Sequence, residues 1–187
     1  VVLRKTILIV TLLMISLFAF AGVASAESYQ FEHGTGTAED PYQVATADDL
    51  NGVRDYLSAH FKQVANIDLS GYNNWLPIGN NVTKFTGVYN GNHFVIKNIS
   101  INRPDEERIG LFGKTDQATL KNITLLRINV VGSSRVSGLA GVPEFSTITN
   151  CSVEGNLTGG SYVGLLSGWS YFSQFNQCCA EGTISGR

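Results

Sequence analysis

The sequence predicts an all-β fold, a right-handed parallel β-helix (a solenoid) whose N-terminal cap contains one short helix. Three observations lead there. A phrase of glycine and leucine recurs as IGLFG from Ile109, VSGLAG from Val136 and VGLLSG from Val163. The phrase belongs to a longer repeat: sliding 136–160 by 27 positions onto 163–187 matches nine residues of 25, among them Leu139/Leu166, Gly141/Gly168, Cys151/Cys178 and Glu154/Glu181. Charge is low, and Gly, Ile, Val, Thr and Asn dominate, which favours strands and turns over helices.

At 187 residues the chain has the length of one domain. Its first segment reads as a secretory signal peptide over 1–26, to be excluded from the fold. Arg4 and Lys5 precede an apolar run, and Ala24-Ser25-Ala26 offers a cleavage site. An uncleaved membrane anchor is the other reading. The remainder carries 11 basic and 15 acidic residues of mixed order. No basic stripe is present to follow a phosphate backbone, so nucleic acid is not expected as a partner.

The cap is expected over 27–61. Thr46 and Asp49 have the spacing of a capping box, and Leu50, Val53 and Leu57 follow at helical intervals, predicting a helix to about His60. Such a cap covers the open edge that a solenoid otherwise exposes.

Repeats are expected over 62–187. A unit of this length with short alternating runs suits one coil of about three strands, each pairing in parallel with its copies. The preceding unit fits at a shift of 28 through Gly110/Gly138, Leu111/Leu139, Gly113/Gly141 and Asn122/Asn150, with the extra residue near Ile128-Asn129. A weaker copy is read upstream, where the strand at Val95–Ser100 resembles Thr119–Thr124. The leucines should point inward and stack, while Gly110, Gly113, Gly138, Gly141 and Gly168 admit sharp turns or close backbone approach. The chain begins with Val and stops at Gly186-Arg187 inside a repeat, with no cap apparent there, so further coils are expected downstream.

These phrases resemble the GLUG-motif repeats of microbial cell-surface and secreted proteins. The upstream segments Gly34–Thr37, Asp40–Val44, Asn66–Leu69, Trp75–Gly79 and Phe85–Asn92 resemble the lead-in to such arrays. The likeness implies a β-helical, extracellular, mostly non-catalytic module, found in adhesins and beside the catalytic part of IgA-cleaving zinc metallopeptidases. The His-Glu-x-x-His signature is absent, since His33, His60 and His93 are followed by Gly, Phe and Phe. In the third phrase Leu165 stands in place of the expected glycine.

Candidate chemistry is sparse. Of five N-x-S/T sequons, Asn98, Asn122 and Asn150 share one repeat register, which predicts an inward asparagine ladder bonding the turn backbones. Asn81 and Asn156 remain candidates for glycosylation. Cys151 and Cys178 should stack on neighbouring strands about 5 Å apart, as a disulfide or as two buried thiols, with Cys179 left over on the other face. Glu154 and Glu181 also stack, either as a solvated pair or as carboxylates for cation or glycan chemistry, with no Lys or Arg seen beside them. Asp105–Arg108 reads as an exposed loop. Trp169, Tyr171, Phe172 and Phe175 read as packing against a further coil, with a sugar-stacking platform as the alternative. No catalytic residue, metal ligand set or cofactor is assigned.

The expectation is a secreted or cell-surface module for adhesion or structural display, contacting a host or matrix glycan or protein. It would be attached to the cell envelope through a region beyond Arg187. The alternatives are a polysaccharide-acting β-helix enzyme and an accessory region of a surface peptidase.

Overall fold

The computed structural model describes residues 28–186; the signal-peptide segment lies outside them. A short strand β1 (Tyr42–Val44) leads into helix α1 (Ala47–Gly52) and a single 3-10 turn (Val53–Asp55). Fourteen strands follow: β2 (His60–Gln63), β3 (Ile67–Asp68), β4 (Val88–Asn90), β5 (Val95–Lys97), β6 (Ser100–Ile109), β7 (Phe112–Asp116), β8 (Thr119–Lys121), β9 (Thr124–Ser137), β10 (Ala140–Glu144), β11 (Thr147–Thr149), β12 (Ser152–Gly159), β13 (Ser161–Gly164), β14 (Gln174–Asn176) and β15 (Cys179–Gly186).

Among the described residues every pairing is parallel, and the strands form three sheets wound into a solenoid of about five turns. The first sheet runs β1-β2-β4-β8-β11-β14. The second runs β3-β5-β9-β12-β15, with β6 and β13 also on β9. The third pairs β7 with β10, and single bridges extend it through Ile78 and Phe85 below and Ser167 and Tyr171 above. Parallel pairing requires a return path between strands, and here the other two sheets of each coil supply it.

Inward side chains stack in columns. Phe61, Tyr89, Leu120, Ile148 and Phe175 pair in succession along the first sheet. Ile67, Ile96, Leu125 and Val153 do so along the second, and every one of these four is at most 1% exposed. Leu111 and Leu139 are fully buried, and Leu166 is partly buried in the outermost coil. The glycines of the phrase provide space rather than unusual dihedrals. A Cβ on Gly141 would stand 2.6 Å from the Arg108 carbonyl carbon and 2.8 Å from the Gly113 oxygen. Leu165 keeps the third phrase in register, because its carbonyl accepts from Gly138 and Leu139 N–H at 2.9 and 3.3 Å.

Coil length varies at the first sheet. Tyr89 pairs with Leu120, 31 positions on, whereas Ile148 pairs with Phe175, 27 positions on. Between the pairs Leu125/Val153 and Ile128/Gly155, β9 holds two residues where β12 holds one, and the register slips there. The extra residue therefore lies at Leu126-Arg127, just before Ile128, and Arg127 takes a left-handed φ of 54° to absorb it.

Three expectations need correction. The helix ends at Gly52 and its continuation is one 3-10 turn, not a run to His60. Tyr56 leaves helical geometry (φ −135°, ψ 55°) because His60 must already pair with Val88 in the first sheet. The sheet also begins inside the cap, as β1 pairs with β2. The Asp105–Arg108 segment is the second half of β6, carrying an irregularity between Arg103 and Glu107, rather than a loop. The cap itself is built as its spacing predicts. Thr46 Oγ1 accepts from Asp49 N–H at 3.0 Å, and Asp49 Oδ2 accepts from Thr46 N–H at 2.9 Å. Phe31, Tyr42, Tyr56 and Phe61 pack as a ring cluster over this end.

Candidate functional site

The asparagine ladder exists, in a different place and with different members. Asn150 Nδ2 donates to Asn122 Oδ1 at 2.8 Å, and Asn122 Nδ2 donates to Asn90 Oδ1 at 2.9 Å. Both donors occupy the corner after a first-sheet strand with φ of 54° and 55°, a conformation asparagine tolerates better than most residues. The bonds run side chain to side chain, and Asn150 is exposed, so the row faces outward rather than into the core. Asn98 is not a member. Val95 pairs with Thr124 and not Thr119, which puts Asn98 at the next corner, where its Nδ2 donates to Asp68 Oδ1 at 2.8 Å. That bond, another from Ser70 N–H and the Lys97 ammonium 3.1 Å away hold the Asp68 carboxyl far below the usual carboxylate range.

Cys151, Cys178 and Cys179 are free thiols. Cys151 Sγ donates to Thr149 O at 3.4 Å, and Cys178 Sγ repeats the bond one coil higher to Asn176 O at 3.3 Å. Burial pushes the Cys151 thiol up to about 12, while Cys179 is exposed on the other face. The sequons at Asn81 and Asn156 are both exposed, and Asn81 Oδ1 accepts from the Lys114 ammonium at 3.3 Å.

Glu154 and Glu181 pair on β12 and β15, as their spacing predicts. Arg127 joins them in one shallow groove that Asn129, Asn156, Gly155 and Gly182 also line. The cation beside the acids escaped the sequence reading because it sits on the inserted residue of β9, which has no counterpart in the later coils.

The third sheet presents the most developed outer surface. At its lower end lies a charge network across three coils. Lys84 Nζ reaches Asp116 at 2.9 Å and Glu144 at 3.2 Å, and Lys114 Nζ reaches the other oxygen of Glu144 at 2.9 Å. Burial opposes ionisation of Glu144, but the two ammonium groups outweigh it and lower its pKa. Asp116 and Glu144 are paired residues 28 positions apart, so extending the repeat alignment would have found them.

At its upper end the same face turns aromatic. Tyr171 continues the column of Glu144 and Asp116. It packs edge-on against Phe145 and Phe172 at 5.3 and 4.6 Å, and those two rings stack on each other at 5.7 Å. Trp169 meets Tyr162 edge-on at 4.8 Å, and the Arg135 guanidinium lies over the Tyr162 ring. Exposure is 54% for Phe145, 51% for Tyr162, 43% for Trp169, 46% for Tyr171 and 76% for Phe172. Phe145, Tyr162 and Phe172 all hold left-handed backbone, with φ of 46°, 55° and 45°, which is unfavourable for bulky residues. Of the cluster expected from sequence, Phe175 alone turns inward toward the core. Phe145 has a coil on either side and is still half exposed, so a neighbouring coil does not cover that position.

No protein-family model matches the chain. It is 38% identical over 145 residues to a provisionally named Gly-rich membrane protein of Evansella cellulosilytica, a match covering 72% of this chain and 17% of that protein. It is 34% identical over 137 residues to Halomucin of Haloquadratum walsbyi, covering 66% of this chain and 2% of that protein. The chain thus spans a small part of either relative's length. Among solved structures, a provisionally assigned immunoglobulin A1 protease from Bacteroides ovatus aligns over 83% of this chain and 87% of that one, at 13% identity and a TM-score of 0.45.

Proposed function

We propose that this chain is a non-catalytic module of a secreted or cell-surface protein, a β-helix of GLUG-motif type that serves adhesion or structural display. The observation that carries the reading is the aromatic end of the third sheet. A solenoid fills its interior with its own columns, so binding falls to outer faces, and contiguous exposed aromatic surface marks an interaction site. Four large rings stand on this face and its corner, Tyr162 of the second sheet adjoins them through Trp169, and three of the five hold left-handed backbone. The names of the two relatives, a Gly-rich membrane protein and Halomucin, support an envelope or surface setting, as does the signal-peptide reading. The partner is a host or matrix glycan or protein.

The test is binding of the mature chain to glycan arrays and immobilised matrix proteins, compared with Trp169→Ala/Tyr171→Ala. Both residues are substantially exposed, so the fold should persist by circular dichroism while binding falls at least tenfold. Unchanged binding by the double variant would sink the assignment of this face. Silence across all surfaces would reduce the module to a spacer.

The groove of Glu154, Glu181 and Arg127 favours a second reading, a polysaccharide-acting enzyme. Adjacent parallel strands hold equivalent backbone positions about 4.8 Å apart, close to the carboxyl separation of retaining glycosidases. Release of reducing ends from a polysaccharide, abolished in Glu154→Gln, would establish it.

A further inference from the structure

A cleft of about 440 Å³ separates the cap from the first complete coils, within the size range of small-ligand sites. Its base is Arg54, in the 3-10 turn after α1. The guanidinium lies 4.9 Å from the Trp75 ring centroid. Its Nε donates to Asn51 Oδ1 at 3.0 Å, Nη1 to Pro77 O at 3.2 Å and Nη2 to Leu76 O at 2.8 Å. These acceptors are all neutral. Among the described residues no carboxylate comes within ion-pair distance of Arg54, and burial disfavours its charge. A guanidinium has five N–H groups, so two remain for a ligand.

The cleft's other charges are largely neutralised. Glu106 is held by Arg103 at 2.9 Å, and Glu107 by Arg108 at 3.1 Å and by Arg135. Asp55 is exposed, and its Oδ2 accepts from Tyr29 N–H at 2.7 Å. Arg54 and Arg108 line the cleft with Asp55, Glu106 and Glu107, while Arg103 and Arg135 pair with Glu106 and Glu107 from outside the lining, so the whole group carries one excess positive charge. Across from Arg54, Asn80 Oδ1 accepts from Val82 and Thr83 N–H at 2.8 and 2.9 Å, and Asn81 Oδ1 takes Lys114. Both carboxamides are thereby oriented, with their N–H groups left to donate. Leu76, 52% exposed, supplies an apolar flank.

We propose that this cleft binds an acidic disaccharide, with its carboxylate clasped by Arg54 and Arg108. The planar guanidinium fork matches a carboxylate in two parallel bonds. Asn80 and Asn81 donate to ring hydroxyls and Asp55 accepts from them, while a C–H face of the sugar lies on Leu76. The single excess charge suits a monoanion, and Asp55 would repel a dianionic phosphate. The inference goes beyond the proposed function and needs nothing from the aromatic face.

The test is calorimetric titration of the mature chain with digalacturonate and with the glucuronate–N-acetylglucosamine disaccharide. Cellobiose and acetate serve as the uncharged-sugar and sugar-free controls. Saturable binding of at least one acidic disaccharide, tenfold tighter than either control, is expected. Arg108→Gln should weaken it tenfold or more, and Asn81→Ala severalfold. Arg54→Lys keeps the charge but loses the fork, and should weaken it likewise. Arg54 also braces the backbone of the loop at Leu76-Pro77, so the Arg108 and Asn81 variants keep the outcome readable if that variant unfolds. Failure of both acidic disaccharides to bind, parity with cellobiose or acetate, or full affinity in Arg108→Gln would overturn the proposal. Trp169→Ala/Tyr171→Ala should leave this titration unchanged, which separates it from failure of the aromatic face.

Discussion

The lower and upper coils differ in how they use chain length. In the lower coils Tyr89 and Leu120 pair across 31 positions, and the path between the first coils bulges into segments such as Trp75–Phe85. The surplus residues form walls, and between them lies the cleft at Arg54. In the upper coils Ile148 and Phe175 pair across 27 positions, and β12 matches β15 residue for residue over eight pairs. Little surplus remains there beyond the inserted residue of β9, beside which the shallow groove of Glu154 and Glu181 lies, and the rest of the surface takes its character from side chains. Irregular coils make concavities and regular coils make faces.

The largest test of this contrast is in the columns. Leu139→Ala, in a closed coil, should lose about 2–5 kcal/mol by denaturant unfolding, because a fully buried leucine leaves a cavity. Leu166→Ala, at the same repeat position but partly buried, should lose distinctly less. Equal losses would show that burial does not set the loss at this repeat position.

Next in size is the cap. Burial opposes ionisation of Asp49, but hydrogen bonds from Tyr29 and from Ala45 and Thr46 outweigh it, so its folded pKa is lowered. A depressed carboxylate contributes stability that is present above the unfolded value near 4 and lost as pH falls through the folded pKa. Asp49→Asn should cost about 1–2 kcal/mol at neutral pH and flatten the acid limb of the stability curve. An unchanged acid limb would show that other carboxylates govern it.

A smaller effect is expected at the corners. Asn122→Ala removes two ladder bonds and places a Cβ-bearing residue without a local hydrogen bond at φ 55°. Asn122→Gly removes the same bonds without that strain, and should be more stable than the alanine variant by about 1 kcal/mol. The smallest perturbation is chemical. A thiol reagent at pH 8 should label exposed Cys179 first and Cys151 last, since only a thiolate reacts and Cys151 is both buried and raised to about 12.

Much of this was legible in the residues. Inward positions obey one requirement in every coil, so Leu111, Leu139 and Leu166 betray the register at once. The capping box was equally readable, because Thr46 and Asp49 act on each other across three residues. Asn98 was misplaced for a physical reason: strand-Lys-Asn-Ile phrases close two different corners of the coil, and local similarity cannot say which. Arg127 and Lys84 were invisible for another reason. Outward positions answer to neighbours one and two coils away, 27 to 60 residues distant in the chain, and need not repeat. The cleft at Arg54 belongs wholly to that category.

The uniform offset of β12 on β15 has a consequence for how such a chain changes over generations. Where two adjacent segments superimpose at one spacing, a recombination event that removes or adds a 27-residue stretch rejoins the chain in phase, wherever inside the segment it falls. Inward columns find the same neighbours and every corner keeps its conformation. The number of turns can thus drift between lineages as a length polymorphism, moving an outer face farther from or nearer to whatever lies beneath it, while the irregular lower coils, lacking a common spacing, are inherited intact.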